Sequence, residues 1–288
     1  MSLSGIAKET VGIVERGEYV SPSGQPVLFR ESVERALRGT VLYRPGDFAG
    51  LPWPEPRAGG VAPRIEVTSE KTGAASRRLV EAEGVAGVVA LNFASAKNPG
   101  GGFLGGAKAQ EEDLARCSAL YASLLTQRDY YDANRADRSP LYTDHLIYSP
   151  EVPFFRDEGL NLLEQPFGVS LITAPAPNAG SAERNAPHLV PRLREVLHAR
   201  ALKVLQVAAH HGHRTLVLGA WGCGAFRNNP NDAADAFANA LGAFPGVFER
   251  VVFAVWERGG DGPNLRAFRE RFAHEEGLRL GSHRGIGC

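Results

Sequence analysis

Apolar residues recur along this chain with two periods, and their alternation sets out an architecture. Short amphipathic patterns over residues 3–18 and 30–38 predict two N-terminal helices, joined by the turn-rich Ser21-Pro22-Ser23-Gly24-Gln25-Pro26. Residues 46–63 are dense in Pro and Gly, and with Leu51-Pro52-Trp53-Pro54 they read as an irregular connector that wraps the core. Beyond it, strands are expected at 64–67, 85–93, 169–174, 215–219 and 251–256. Helices are expected between them over 69–83, 188–211, 232–243 and 263–274, and another from Gln110 onward, where Leu114, Cys117, Ser118, Leu120, Tyr121 and Leu124 keep helical spacing. This βα alternation predicts an α/β fold: a three-layer α/β/α domain with a mixed or largely parallel sheet over residues 61–288, and residues 1–60 as a helical accessory region packed on it. The stretch 128–165 breaks the alternation. It holds Tyr130, Tyr131, Tyr142 and Tyr148 and is too long for an ordinary connection, so a hairpin or flap near the ligand site is expected.

With 43% hydrophobic residues among 288, the chain can bury a sizeable core. Lys and Arg number 32 and Asp and Glu also 32, which gives no net field toward a polyanion and argues against a nonspecific nucleic-acid coat. Recognition must then be local, which still allows a nucleotide-like polymer gripped at one end. Cys117, Cys223 and Cys288 lie far apart, without a CxxC pair or a His cluster at zinc spacing, so no disulfide framework, structural zinc or other metal set is expected. No apolar run approaches the roughly 18 residues of a membrane span, and a cytoplasmic protein is expected.

The loops around Gly100, Pro175 and Gly222 each follow a predicted strand, where open sheets bind ligands. The first is the most informative. Gly100-Gly101-Gly102 can take positive φ and bring backbone N–H groups close to a phosphate or pyrophosphate. Glu111 and Glu112 follow at a helix start, where acids often do no more than complement the helix dipole. Beside an anion site they need a further reason, and acid/base chemistry on a phosphate-bearing substrate supplies it. Gly100, Gly102 and Gly105 also satisfy GxGxxG, but residues 128–134 do not read as the second buried strand of a dinucleotide-binding unit. A P-loop fails because Ala109 follows Lys108. Cys223 reads better as a small buried loop residue than as a nucleophile, since His210, His211 and His213 cannot be placed beside it.

The pattern of three glycines, seven residues, then Gln110-Glu111-Glu112 resembles the signature of bacterial-type poly(ADP-ribose) glycohydrolases. Ile6-Ala7-Lys8-Glu9-Thr10, Gly39-Thr40-Val41-Leu42-Tyr43, Ile172-Thr173-Ala174-Pro175-Ala176-Pro177-Asn178 and Gly219-Ala220-Trp221-Gly222-Cys223-Gly224-Ala225-Phe226 are similar to other parts of that family, so the likeness spans nearly the whole chain. The resemblance implies a macrodomain-like catalytic domain with a helical N-terminal extension. It implies hydrolysis of ribose–ribose O-glycosidic bonds in poly(ADP-ribose), mainly from chain ends, without metal or organic cofactor. The substrate would be the polymer or an ADP-ribosylated protein, the product ADP-ribose, with no direct DNA or membrane binding and a role in ADP-ribosylation reversal and the DNA damage response.

The resemblance also assigns roles. Glu112 becomes the acid/base, Glu111 the residue that orients the ribose, and Gln110 a support for the loop. Asn98 holds a ribose hydroxyl, Gly100, Gly101 and Gly102 face the pyrophosphate, and Gly222, Cys223, Gly224 and Ala225 wrap its other side. Phe226 packs on the distal ribose. Thr68, at the end of the first core strand, is a candidate for the adenine pocket. Two alternatives share this cleft: a noncatalytic ADP-ribose-binding macrodomain, which needs the glycine loops but not Glu112, and a hydrolase of another ADP-ribosyl linkage.

Overall fold

The computed structural model describes residues 1–54 and 61–281, with side chains to residue 273. Residues 55–60 of the connector, and Cys288, lie outside the described residues. Helix α1 (Leu3–Arg16) starts where the Ser2 hydroxyl accepts the Gly5 amide at 3.1 Å, and it stops at Gly17, whose φ of 67° closes a left-handed cap. Its buried residues, Ala7, Thr10 and Ile13, fall at helical spacing on one face. The hairpin β1 (Glu18–Val20) and β2 (Pro26–Leu28), helix α2 (Arg30–Gly39) and strand β3 (Val41–Tyr43) follow. After the connector come β4 (Arg64–Thr68), α3 (Thr72–Arg77), β5 (Val88–Phe93), α4 (Gln110–Cys117), α5 (Leu120–Leu125) and α6 (Arg128–Asp137). The chain continues through β6 (Leu146–Arg156), β7 (Leu162–Ala174), α7 (Ala179–Asn185), α8 (Leu193–His210), β8 (Thr215–Leu218), α9 (Pro230–Gly242), β9 (Arg250–Ala254) and α10 (Pro263–Gly281).

Seven strands form one mixed sheet in the order β3-β6-β7-β5-β8-β9-β4. The run from β7 through β5, β8 and β9 to β4 is parallel, while β6 is antiparallel to both β3 and β7. The inner parallel strands β5, β8 and β9 read as largely apolar runs because both faces are covered. Leu205, Trp221, Phe237, Phe253 and Phe268 belong to a core on one face, and Leu79, Leu114, Leu120, Phe154 and Phe155 to a core on the other. The expected strands occupy β4, β5, β7, β8 and β9. The N-terminal segment supplies the two expected helices, and also a hairpin and the edge strand β3, which its sequence pattern had not revealed.

Several elements depart from the sequence pattern for identifiable reasons. The helix expected from Gln110 through Leu124 breaks at Ser118, which is extended and bridges to Phe154 while the Ala119 amide donates to the Pro153 carbonyl at 3.0 Å. Strand β6 therefore captures the chain in mid-pattern. Helix α3 starts later than expected because Glu70 turns back to pair with Arg78 at 2.9 and 2.8 Å, and a single π-turn over Arg78–Ala82 ends it. The helix expected from residue 188 begins as a 3-10 segment, Pro187–Arg192, because Pro191 has no amide to donate. Residues 128–165 hold helix α6 and then the rise of the β6–β7 hairpin, whose register shifts between Ser149 and Val152, around Pro150 and the left-handed Glu151 (φ 43°).

Candidate active site

The loops after β5, β8 and β9, together with the first turns of α3 and α4 and with Tyr142 ahead of β6, enclose a cleft of ≈ 860 Å³. It lies at the carboxyl ends of parallel strands, where the β-carbon-free glycine loops can approach a ligand. Asn98, Gly101, Gly102, Gln110, Glu111 and Glu112 line one side. Gly222, Gly224, Ala225 and Phe226 line the other, and Ala254, Val255, Trp256 and Asn264 extend it beyond β9. The Pro175–Asn178 stretch stands behind this wall. Its Pro177 carbonyl accepts from Asn228 at 2.7 Å, and the Asn178 side chain accepts the Ser181 amide at 2.9 Å to cap α7.

The glycine loop is shaped by the carboxylates beneath it. Gly100 and Gly101 have φ of 65° and 59°, in the left-handed region that side chains rarely adopt. The Gly102 amide donates to Glu112 Oε1 at 2.9 Å, and a β-carbon on Gly101 would lie 2.2 Å from that same oxygen. Glu112 is 8% exposed, and its Oε2 is buried with no hydrogen-bond partner among the described residues. A buried carboxylate oxygen left unpaired is uncommon outside functional sites.

Glu111 is held differently. Its Oε2 accepts the Ser95 amide at 2.7 Å and its Oε1 the Asn92 side chain at 3.2 Å, with Asn92 also donating to Thr173 Oγ1 at 3.1 Å. Burial pushes its pKa up to about 8, the neighbouring Glu112 adds to that, and the hydrogen bonds from Ser95 and Asn92 oppose it. Because the folded value lies above the ordinary 4.5, the neutral form is favoured in the fold. Glu111 thus contributes stability that is full below pH about 4.5 and lost as pH rises through about 8. The unfolding midpoint of Glu111→Gln should accordingly depend less on pH across this window than that of the unsubstituted protein, as thermal scans at several pH values will test. Equal slopes would mean that Glu111 is ionised throughout.

Gln110 takes the supporting part. Its Oε1 accepts the Phe93 amide at 2.8 Å, and its Nε2 donates to the Leu91 carbonyl at 2.7 Å and to Thr72 Oγ1 at 3.1 Å. It therefore joins α4 to the end of β5 and the start of α3. The fully buried Arg116 donates to the Ala107 carbonyl at the loop's far end, and Thr10 of α1 donates to the Arg116 carbonyl at 2.8 Å.

Three residues expected at the ligand are set back from the cleft surface. Gly100 faces Phe103 and Tyr121. Thr68 is tied through its carbonyl to the Val255 amide at 2.9 Å. Cys223 packs against the core, with burial raising its thiol to about 12, which suits a structural thiol rather than a nucleophile. Trp221, fully buried, anchors this loop through Nε1 to the Ala174 carbonyl at 3.1 Å. Removing such a side chain costs about 3–5 kcal/mol. Asn92, Ser95 and Tyr142 were not singled out for the site by sequence. Asn92 left a signal, a polar residue within the apolar run of β5. Among the described residues there is no group of three or more His, Cys, Asp or Glu that could hold a metal ion, and no helix long and apolar enough to cross a membrane.

Comparison with known proteins agrees with this geometry. Residues 7–157 match the family described as microbial-type PARG, catalytic domain. The crystal structure of the poly(ADP-ribose) glycohydrolase (PARG) of Thermomonospora curvata is 51% identical, covering 94% of this chain and 99% of that one at a TM-score of 0.87. The same enzyme bound to the inhibitor ADP-HPD is similar at 51% identity over the same shares, with a TM-score of 0.86. The Deinococcus radiodurans enzyme in complex with ADP-ribose is 46% identical over 84% of this chain and 97% of that one, with a TM-score of 0.78. Among curated proteins there is no match. With a cleft built on paired carboxylates under a glycine loop and these likenesses along most of its length, the chain belongs to the microbial-type PARG family of glycohydrolase enzymes.

Proposed function

We propose that this protein hydrolyses the ribose–ribose O-glycosidic bonds of poly(ADP-ribose) and releases ADP-ribose, mainly from chain ends. The observation that carries this reading is Glu112: one carboxylate oxygen fixed by the Gly102 amide, the other buried with no partner among the described residues, in a cleft lined by two glycine loops. Cleavage of the glycosidic bond develops oxocarbenium character on the sugar and leaves an alkoxide that needs a proton. Glu112 gives that proton and then takes one from the attacking water, so that a single residue acts as general acid and then base. Glu111 orients the sugar through its hydroxyls, and Asn98 helps to hold it. The backbone of Gly101 and Gly102 faces the pyrophosphate from one side and that of Gly222, Gly224 and Ala225 from the other. The bound pyrophosphate offsets positive charge on the sugar, a part that a second, separated carboxylate plays in ordinary glycosidases.

Residues 1–60 serve as an accessory region that also lends strand β3 to the sheet of the catalytic domain, and Leu3 of α1 reaches the cleft, which supports a role in closing it toward chain-end attack. The free Cys117 and Cys223 support a reducing, cytoplasmic setting, and reversal of ADP-ribosylation after DNA damage is the context in which such an activity would be used. The protein meets the polymer or an ADP-ribosylated protein without binding DNA directly. Incubation with labelled polymer and sizing of the products tests the reading: ADP-ribose accumulating while long chains persist supports it, and intact polymer refutes it. The single-carboxylate mechanism requires no Lewis acid, so activity should survive exhaustive chelation. Loss with EDTA and recovery with Mg²⁺ or Zn²⁺ would point instead to metal-assisted hydrolysis.

A further inference from the structure

Two features near the cleft have no part in the chemistry above. Tyr142 has a φ of 58°, a conformation that an aromatic residue holds only when its surroundings impose it. The residue is not a core anchor, because it is only partly buried and lines the cleft. Its ring lies 5.9 Å from that of Phe226, tilted by 47°, and its hydroxyl is 3.4 Å from Asn178 Nδ2. The second feature is Arg200 of α8, a guanidinium 1% exposed. It donates to the carbonyls of Leu141 at 3.1 Å, Tyr142 at 3.1 Å and Pro175 at 2.8 Å, and through Nε to Asp144 at 2.8 Å. Lys203 also binds Asp144. A planar donor fork can satisfy several carbonyls at once, and this one fixes the backbone on both sides of the strained tyrosine.

These contacts tie three loops into one wall. Arg200 joins the Tyr142 segment to Pro175, and the Gly180 amide, just beyond, donates to the Phe226 carbonyl at 3.0 Å. We propose that Tyr142 is a substrate-positioning residue that, with Phe226, confines the distal ribose beside Glu112, and that Arg200 is the clamp that holds Tyr142 in place. The proposal rests on the assignment of the cleft to ADP-ribose and adds to it the residue that fixes the reacting sugar. A sugar held between two rings has fewer orientations, and small losses of orientation at a reacting centre cost rate steeply.

ADP and ADP-ribose share every group except the distal ribose, and so their affinities separate this role from a merely structural one. Calorimetry on Tyr142→Ala should show ADP-ribose binding weakened about tenfold, as expected for losing one buried side chain's contact, with ADP binding unchanged. Single-turnover cleavage should fall with it. Tyr142→Gly should show the same selective loss with an unfolding midpoint at or above that of Tyr142→Ala, because glycine tolerates the left-handed backbone. Arg200→Lys keeps a positive charge beside Asp144 but loses the fork, and it should reproduce the ADP-ribose-selective loss. If Arg200→Lys does not fold, the two Tyr142 variants decide. ADP and ADP-ribose affinities that fall together, or that both stay unchanged, would overturn the proposal. Failure of the unsubstituted protein to cleave polymer would instead overturn the assigned reaction, while the difference between ADP and ADP-ribose would still judge Tyr142.

Discussion

Glu112→Gln should lower turnover by about 10²- to 10⁴-fold or more while leaving ADP-ribose binding nearly intact. The amide is almost isosteric, and its oxygen can keep the 2.9 Å bond from the Gly102 amide, so the loop above it need not move. What the amide cannot do is give a proton to the leaving ribose oxygen or take one from water. The loss should therefore appear in the chemical step, with kcat and kcat/KM falling alike. Single-turnover cleavage of labelled polymer beside calorimetric ADP-ribose affinity measures both. Near-normal turnover would remove Glu112 from the acid/base role and direct attention to Glu111, whose raised pKa also lets it carry a proton at neutral pH.

Gly101→Ala should be as damaging to turnover, by a different route, and should also weaken ADP-ribose binding. The new β-carbon would sit 2.2 Å from Glu112 Oε1, 2.9 Å from its carboxyl carbon and 3.2 Å from Glu111 Oε2. At a φ of 59° the alanine backbone is strained as well, by a cost of order 1–3 kcal/mol. The carboxylate must leave its bond to Gly102 or the loop must turn its amides away from the pyrophosphate. A displacement of about 1 Å at a reacting group costs on the order of 10²-fold. Gly105→Ala is the control: among the described residues, apart from its own chain neighbours, no atom lies within 4 Å of its β-carbon, and it should behave like the unsubstituted protein. The pair also separates two readings of the loop. A dinucleotide-binding GxGxxG would need Gly105 for helix–strand packing, whereas a glycohydrolase loop does not.

The sequence was most legible where local chemistry and tertiary need coincide. Parallel strands buried on both faces must be apolar throughout, and so β5, β8 and β9 stood out without a structure. Legibility failed where a distant segment overrode a local pattern. Ser118 lies in a helical repeat, yet the Pro153 carbonyl of β6 takes the next amide. Val41 and Leu42 make too short a run to announce that β3 joins the main sheet, and it does so only because β6 offers an antiparallel edge.

The site divides in the same way. The run of glycines and the acids at a helix start are written into the chain, and their spacing together with the family likeness grouped Gly101, Gly102, Glu111 and Glu112; of the two glycines, Gly101 takes the left-handed backbone and Gly102, with a φ of −102°, does not. The different environments of the two acids were not written there. Burial raises the pKa of Glu111, while Asn92 and Ser95 hydrogen-bond its two oxygens and oppose that rise; Glu112 takes the Gly102 amide on one oxygen and has no partner among the described residues for the other. Which glycine-loop residues line the cleft was likewise a tertiary matter: Gly100 and Cys223 carry the motif but lie against Phe103 and the core. Tyr142 was legible only as part of the stretch 128–165 expected as a hairpin or flap near the ligand site; its left-handed backbone and its place beside Phe226 arise among distant segments, with Arg200, 58 residues further along the chain, donating to its carbonyl. The sequence by itself determined which groups could do the chemistry, because side-chain type and backbone freedom are local properties. Burial, pairing and orientation depend on contacts between distant segments, and only the tertiary structure decided them.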